Sequence, residues 1–496
     1  MQPLEPPGFL AGENPAEERY REALDLFGLF GYLQRQGFGV FSIRESLQAV
    51  GECRDGTLQG FHLSEAEMWQ TIEYLDTLGI GVVELPSYPA NPYGQAANRR
   101  LIEAARAAGM PIAFAAHARC TSGDIDAAYE AGFRRIHLFI GTSPIKQATA
   151  GATIAQLAER AFTAIRHARR LGFSCIRIST EDAFRTTMAD YTNFYEQLQQ
   201  LFLAHGISVD GIGIPDTVGI ATIAEVGERI AVLRRIGISF DFLECHIHND
   251  VGHADKMYVD TLLLCRGLGI RMLPDMSILG IGERNGTIGL SSLLEAIYRR
   301  LLLLYPRKMT PIRTALRCAF GSLPSGELFV NRYRDMDAFF YRILARNGFV
   351  FDRSPFSSNT EYDGSGVHAD TTMRAYQLAL AEGHAGQAAI DIGNGAYSGA
   401  LPPYDMPLRA PALACFGCGK SNVRYWREQS GMHPRPAAEA HARLAALAEA
   451  PLLGLDRTLD DETLDDIAAR LIRLMSVRDN GITHHRAMQI LALCFA

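Results

Sequence analysis

Glu244, Cys245, His246, Ile247, His248, Asn249 and Asp250 directly follow the apolar run Ile238 to Leu243. In an extended strand alternate side chains share a face, so Glu244, His246 and His248 project together while Cys245 and Ile247 point away. Two imidazoles and a carboxylate at one spot suit a divalent cation: neutral imidazole nitrogens are good ligands, and a nearby carboxylate can orient a ligand or serve as a base. The competing reading is a pair of histidines packed or hydrogen-bonded in a core.

The elements that must position these groups are eight short apolar runs between about residues 36 and 303: Gly39 to Ile43, Gly81 to Leu85, Pro111 to Ala116, Arg135 to Ile140, Ser174 to Ser179, Val209 to Ile214, Ser239 to His246 and Ile270 to Leu273. Amphipathic stretches of helical length alternate with them, among them Ile154 to Leu171 and Ser64 to Leu78, where Ser64 and Glu67 form a capping-box pair. Eight such alternations over this length predict an α/β protein with a TIM (β/α)8 barrel, with a doubly wound sheet as the other possibility. In a barrel the reactive groups belong at the C-terminal ends of the strands. Polar residues do gather there: Arg44 to Gln48 after strand one, Glu84 after strand two, His117 and Arg119 after strand three, and Arg177 to Asp182 around strand five. Asp216 and Thr217 follow strand six, and the opening run follows strand seven. That convergence predicts a single active site.

Composition bounds the class of protein. The chain has 496 residues, 48% of them apolar, and a net charge of -7 without a basic cluster, so nucleic acid is not an expected partner. No membrane-length apolar run or signal peptide is visible, and the nine cysteines are scattered. A reducing, cytoplasmic setting is the expectation. Cys415 and Cys418 form the nearest approach to a metal pair, but no second pair follows, so they read as structural.

Arg44 and Glu45, the Ile214 to Gly219 segment (Ile-Pro-Asp-Thr-Val-Gly), the Glu244 to Asp250 run and the Gly280 to Gly286 segment (Gly-Ile-Gly-Glu-Arg-Asn-Gly) together resemble the superfamily of homocitrate synthase, isopropylmalate synthase and HMG-CoA lyase. Homocitrate synthases and Re-type citrate synthases are the most similar, through the Glu-Cys-His-x-His-Asn-Asp run and the Arg177 to Arg185 segment. Ser365 to Asp370 resembles the lid of these synthases, and Ser421 to Val423, after Gly417 to Lys420, resembles their later helical subdomain.

The resemblance implies a metal-dependent Claisen condensation of acetyl-CoA with a 2-oxo acid, giving a homocitrate-like or citrate-like product and free CoA. Glu45, His246 and His248 would hold zinc, manganese or magnesium, and the ion would act as a Lewis acid toward the 2-oxo acid. Arg44 would stabilise the developing alkoxide; a structural ion pair is its other reading. Arg177, Ser179 and Thr217, with Gln48, Arg119 and Thr121, would bind substrate. Glu244 and His368 would form the base pair, and Tyr397 would be the lid tyrosine. The lid histidine of these synthases commonly reaches a partner's site, which implies a homodimer with the lid contributed in trans. Phosphonopyruvate as substrate, or a carbon–carbon lyase or aldolase on the same fold, are the alternatives.

Departures from the family pattern bear on the substrate. Thr121 stands where homocitrate synthases carry a substrate-contacting histidine, Val40 replaces an acid, and Thr287 replaces the ligating Asn of isopropylmalate synthases and HMG-CoA lyase. Arg54, Asp55 and Gly56 imitate the family's strand-one signature but follow no buried strand. They are read as part of a long first loop, Ala49 to His62, whose usual fate is solvent. The expected divisions are an N-terminal helical extension (1–35, with an amphipathic stretch from Glu17 to Gln34), the barrel (36–310), a lid (311–410) and a helical subdomain (411–496).

Overall fold

Gly39 opens the first barrel strand because its φ of 109° suits glycine and a Cβ there would lie 2.3 Å from the Pro274 carbonyl oxygen. The computed structural model describes residues 39–53, 58–87, 91–304, 329–350, 361–397, 405 and 407–496. The expected N-terminal helix and Arg54 to Gly56 lie outside the described residues, as do parts of the expected lid.

The strands are β1 (Val40–Ser42), β2 (Val50–Glu52), β3 (Leu58–Gly60), β4 (Val82–Leu85), β5 (Ala113–Arg119), β6 (Arg135–Gly141), β7 (Cys175–Glu181), β8 (Gly211–Gly213), β9 (Phe242–Cys245) and β10 (Met272–Met276). All but β2 and β3 pair in parallel and close in the order β1, β10, β9, β8, β7, β6, β5, β4, so each of the eight apolar runs became a barrel strand. The helices between them cover the outside, burying Phe41, Val83, Ile136, Ile178 and Leu243 in one large core. Helix Glu65–Thr77 carries the capping box of Ser64 and Glu67, and Ile154–Leu171 is helical as its pattern predicts. One boundary moved. The last strand runs on through Pro274 and Asp275, which an apolar run excludes, because Asp275 points inward.

The barrel interior has two storeys. Val40, Val82, Ala115, Phe242 and Leu273 form a separate apolar plug at its floor. Two residues further along each strand, the period of the pleat puts Ser42, Glu84, His117, Glu244 and Asp275 above that plug. β8 contributes almost no side chain. A Cβ on Gly211 would lie 2.3 Å from the Phe242 ring, and one on Gly213 would lie 2.6 Å from the Ser179 Cβ and 3.1 Å from the Arg177 Cδ, so these glycines make room for the plug and for an arginine.

The described parts of the first loop, 49–53 and 58–62, are mostly buried or half-buried, contrary to expectation. β2 and β3 form an antiparallel hairpin, Val50 is buried in a second core, and the Gly60 N–H donates to the Ala414 carbonyl at 2.7 Å. That second core is built by helices Lys420–Gln429, Ala437–Ala445, Asp461–Arg478 and His484–Cys494, with Cys415 and Cys418 buried in it as free thiols. Between the two cores, helices Gly366–Ala381 and Gln387–Gly395 form the lid, tied down by the parallel pair β11 (Tyr362–Asp363) and β12 (Ala410–Pro411) and by a Gly366 N–H to Gly417 carbonyl bond of 2.8 Å. Among the described residues no helix is long and apolar enough to cross a membrane.

The packing at β8 gives a stability prediction. Gly211→Ala forces Phe242 out of its place in the plug and should destabilise the chain by about 1–3 kcal/mol, read as a lower Tm. Phe242→Leu in the same background should restore part of the loss, and an unchanged Tm for Gly211→Ala would contradict the two-storey interior.

Candidate functional site

The upper storey of the barrel is a connected set of charges. Arg44, in the short helix Ile43–Leu47 that leaves β1, donates from Nε to Glu84 Oε1 and from Nη1 to Glu45 Oε2, each at 2.9 Å. Glu84 also accepts from Ser42 Oγ at 2.8 Å, and its second oxygen lies 2.8 Å from His137 Nδ1. Because Arg135 Nε donates to His137 Nε2 at 3.0 Å, the proton of a neutral imidazole belongs on Nδ1, facing Glu84. Glu244 is bonded to the Arg177 guanidinium, which also reaches Ser179 Oγ at 2.9 Å. Burial alone would raise both carboxyls, but Arg44 with His117 and His137 holds Glu84 well below the usual range, and Arg177 with His137 lowers Glu244. Burial lowers His137 and leaves it neutral. Two carboxylates and two guanidiniums thus compensate one another where water is excluded.

Above this layer Glu45, His246 and His248 come together, with one ligand atom from each lying within 4.8 Å of the others. The two Nε2 atoms are 3.0 Å apart, and His246 Nε2 is 3.9 Å from Glu45 Oε2. Asp275 sits 2.9 Å from His246 Nδ1, which turns Nε2 toward the other two residues. Burial, followed by Arg284 and His246, keeps His248 well below its ordinary pKa, so its ring is neutral. Glu45 is aimed by the chain opposite: the Glu283 N–H donates to Oε1 at 3.0 Å, and a Cβ on Gly282 would stand 2.6 Å from that oxygen. The donor set, its convergence and the outer carboxylate all fit a divalent metal ion.

The lid closes a second cluster over the barrel. His368, near the start of helix Gly366–Ala381, has Nδ1 2.9 Å from Glu283 Oε1 and Nε2 4.0 Å from Glu181 Oε1. Its ring stacks on Tyr397, centroids 3.6 Å apart at 23°, and the Tyr397 hydroxyl donates to Glu181 Oε1 at 2.7 Å. Burial pushes His368 down to about 3, so the imidazole is neutral. Glu181 is lowered despite its burial, through Lys146 first and then His368. Arg185 fastens the lid: it binds Asp182 at 2.8 Å and donates to the carbonyls of Gly395 and Ala396 at the end of the second lid helix.

One cavity of about 560 Å³ joins these groups. Arg44, Glu45, Gln48, Arg177, Ser179, Thr217, Glu244, His246, His248 and His368 all line it. Gln48 accepts a bond from Arg44. Thr217 Oγ1 accepts the Asp182 N–H at 2.9 Å, leaving the hydroxyl proton to donate. Arg119 stands half-exposed at the rim, held through a bidentate pair by Asp124, while Thr121 caps helix Ser122–Glu130 and is not part of the cavity wall.

Two expectations need correction. Glu244 meets Arg177 and not His368, because it lies in the deep charged storey two residues before His246, whereas His368 comes down from the lid onto Glu181 and Glu283. Within one chain, His368 stands against Glu283 and Glu181. Thr121 has its hydroxyl committed to a helix N-cap, where it accepts the Asp124 N–H at 3.4 Å. The sequence reading missed His137, Lys146 and Asp275, and it left Glu181 and Glu283 without roles. A polar residue inside an apolar run, as at His137, was the available signal. Thr287, which binds the Ile247 carbonyl at 2.8 Å, supports the chain behind the histidines.

The HMGL-like family model matches residues 51–316, more than half of the chain. A cytosolic homocitrate synthase isozyme of Saccharomyces cerevisiae is 34% identical over 221 residues, covering 44% of this chain and 47% of that protein. A mitochondrial homocitrate synthase of Schizosaccharomyces pombe is 32% identical over 259 residues, covering 52% and 57%, and a 2-isopropylmalate synthase of Erwinia tasmaniensis is 32% identical over 249 residues, covering 48% and 44%. The chain thus spans about half the length of the curated relatives it matches. The HMG-CoA lyase of Brucella melitensis aligns in structure with a TM-score of 0.43 at 18% identity, covering 62% of this chain and 98% of that one. By the span of its family match, the chain belongs to the HMGL-like family.

Proposed function

We propose that this protein is an acyl-CoA:2-oxo acid acyltransferase, joining acetyl-CoA to a dicarboxylate-like 2-oxo acid with release of CoA. The observation that carries the reading is the pairing, across one cavity, of a metal-capable triad with a neutral, carboxylate-flanked histidine. An electrophile and a carbon acid can then be activated side by side.

A divalent ion held by Glu45, His246 and His248 would supply Lewis acidity toward the carboxylate and keto oxygens of the acid. Arg177, Ser179 and Thr217 offer a guanidinium and two hydroxyls to the substrate's carboxylates. Neutral His368 takes a proton from the acetyl methyl group, and Glu181 and Glu283 stabilise the resulting imidazolium. The methyl carbon bonds to the keto carbon, whose oxygen becomes an alkoxide and then a hydroxyl on taking up one proton, which balances the one His368 removed. Arg44, fixed by Glu84 and Glu45, is the permanent cation beside that developing charge. Water then cleaves the thioester to a carboxylate and free CoA thiol, which makes the sequence irreversible.

Thiol release from acetyl-CoA should be measured against a panel of oxaloacetate, 2-oxoglutarate, phosphonopyruvate and a branched monocarboxylic 2-oxo acid. Turnover with a dianionic acid is expected, and absence of thiol release with every acid in the presence of zinc, manganese and magnesium would refute the proposal. A retro-reaction that cleaves a hydroxy acid without free CoA would favour the lyase or aldolase alternative.

The triad gives a binding prediction that does not depend on turnover. Glu45→Gln should abolish stoichiometric divalent-metal binding in a calorimetric titration of the chelated protein, and Asp275→Asn should weaken it about 10–100-fold. Unchanged binding in Glu45→Gln would remove Glu45 from the ligand set. Arg44→Met should lower kcat on the order of 100-fold or more with the metal still bound; an equal kcat would return Arg44 to a purely structural role.

A further inference from the structure

Lys146 is one of only four lysines in the 496-residue sequence, with Lys256, Lys308 and Lys420, against a large majority of arginine among the 48 basic residues. It sits on the short helix Pro144–Ala150 that follows β6 and is 5% exposed. Its Nζ stands 3.2 Å from the centroid of the Tyr397 ring and 3.3 Å from Glu181 Oε1. The same Glu181 oxygen accepts the Tyr397 hydroxyl, and the other face of the chemistry is His368, stacked on that tyrosine. Room for the lysine stem comes from Gly141, where a Cβ would fall 2.8 Å from the Lys146 Cβ and 2.9 Å from its Cγ.

A buried cation is a poor way to gain stability, because desolvation offsets most of its Coulomb attraction and an apolar side chain of similar volume serves at least as well. What the ammonium adds is a compact point charge that can bind a carboxylate and a π face at once, which the planar fork of arginine does less readily. It comes from the barrel, and one of the two groups it grips comes from the lid. The helix that carries it also meets the lid directly, through an Arg374 Nη1 to Thr149 carbonyl bond of 3.4 Å.

We propose that Lys146 is a positioning residue: it clamps the lid tyrosine Tyr397 and the barrel carboxylate Glu181 into one unit, and that unit fixes where His368 stands when the lid is closed. The proposal rests on the reading that His368 removes the methyl proton, and it deepens that reading by naming what sets the base in place. Lys146 touches none of Glu45, His246, His248, Arg44 or Arg177, so its loss acts on the proton-transfer step and not on binding of the 2-oxo acid.

The test is Lys146→Met in the full chain, read by steady-state kinetics and by backbone amide exchange. Expected are a fall in kcat on the order of 100-fold from a misplaced base, a KM for the 2-oxo acid within about threefold of wild type, and about tenfold faster exchange over residues 366–372 and 393–397. Lys146→Arg should recover part of both effects, because it returns the charge. A kcat within twofold of wild type, or exchange over those segments that does not change, overturns the proposal. If the wild-type protein releases no thiol with any acid, the reading of the reaction has failed, and the exchange comparison alone decides whether Lys146 clamps the lid. If Lys146→Met does not fold, Lys146→Gln and Tyr397→Leu carry the same exchange readout, and both must accelerate exchange in the same two segments.

Discussion

The constraint on which the site depends is the pairing of charges inside the barrel. Glu84 and Glu244 are carboxylates with no useful access to water, and each is kept ionised by a guanidinium, Arg44 for one and Arg177 for the other, with the neutral His137 between them. Removing one partner from such a set leaves an uncompensated buried charge, which costs several kcal/mol, so the members stand or fall together. The apolar plug of Val40, Val82, Ala115, Phe242 and Leu273 beneath them seals the lower end. The charged storey therefore has one open direction, toward the C-terminal ends of the strands.

Everything above it inherits that orientation. Arg44 is held by Glu84, so the adjacent Glu45 is presented toward His246 and His248. The Gly280 to Gly286 segment closes on the same place: the Glu283 N–H fixes Glu45, and the Glu283 side chain meets His368. Arg284 binds Asp250 at 2.7 Å and the Thr217 carbonyl at 2.6 Å, which ties that segment to the histidine run and to the end of β8. The lid then adds a neutral imidazole, fixed by stacking and by two carboxylates, opposite the metal-capable triad. On the proposed function, activation of an electrophile and removal of a proton fall to different walls of one cavity.

The barrel was legible because its signal is local: eight apolar runs, each long enough for a strand and each followed by polar residues. The triad was legible through a family likeness, which joined Glu45 to two histidines some two hundred residues away. What stayed hidden was pairing through space. Nothing beside Glu244 in sequence says that Arg177 takes it, and nothing beside His368 points to Glu283. Asp275 was lost because Pro274 and Asp275 interrupt an apolar pattern although both continue the strand, and His137 because a lone polar residue inside such a run reads as packing. Thr121 failed in the opposite direction: a hydroxyl at a strand end served as a helix cap, which is the commoner use of a threonine in that setting. The described parts of the first loop packed inward because the second core, assembled mainly from residues 412–495, offered them a surface.

The proposed function requires that a metal, the 2-oxo acid and the lid histidine meet in one cavity. It is tested most directly by anomalous diffraction at the manganese edge from crystals grown with manganese and a 2-oxo acid. The expected result is a single strong peak coordinated by Glu45, His246 and His248, with the acid's carboxylate turned toward Arg177 and a His368 imidazole facing it. A peak on other residues, or an acid bound away from that peak, would contradict it.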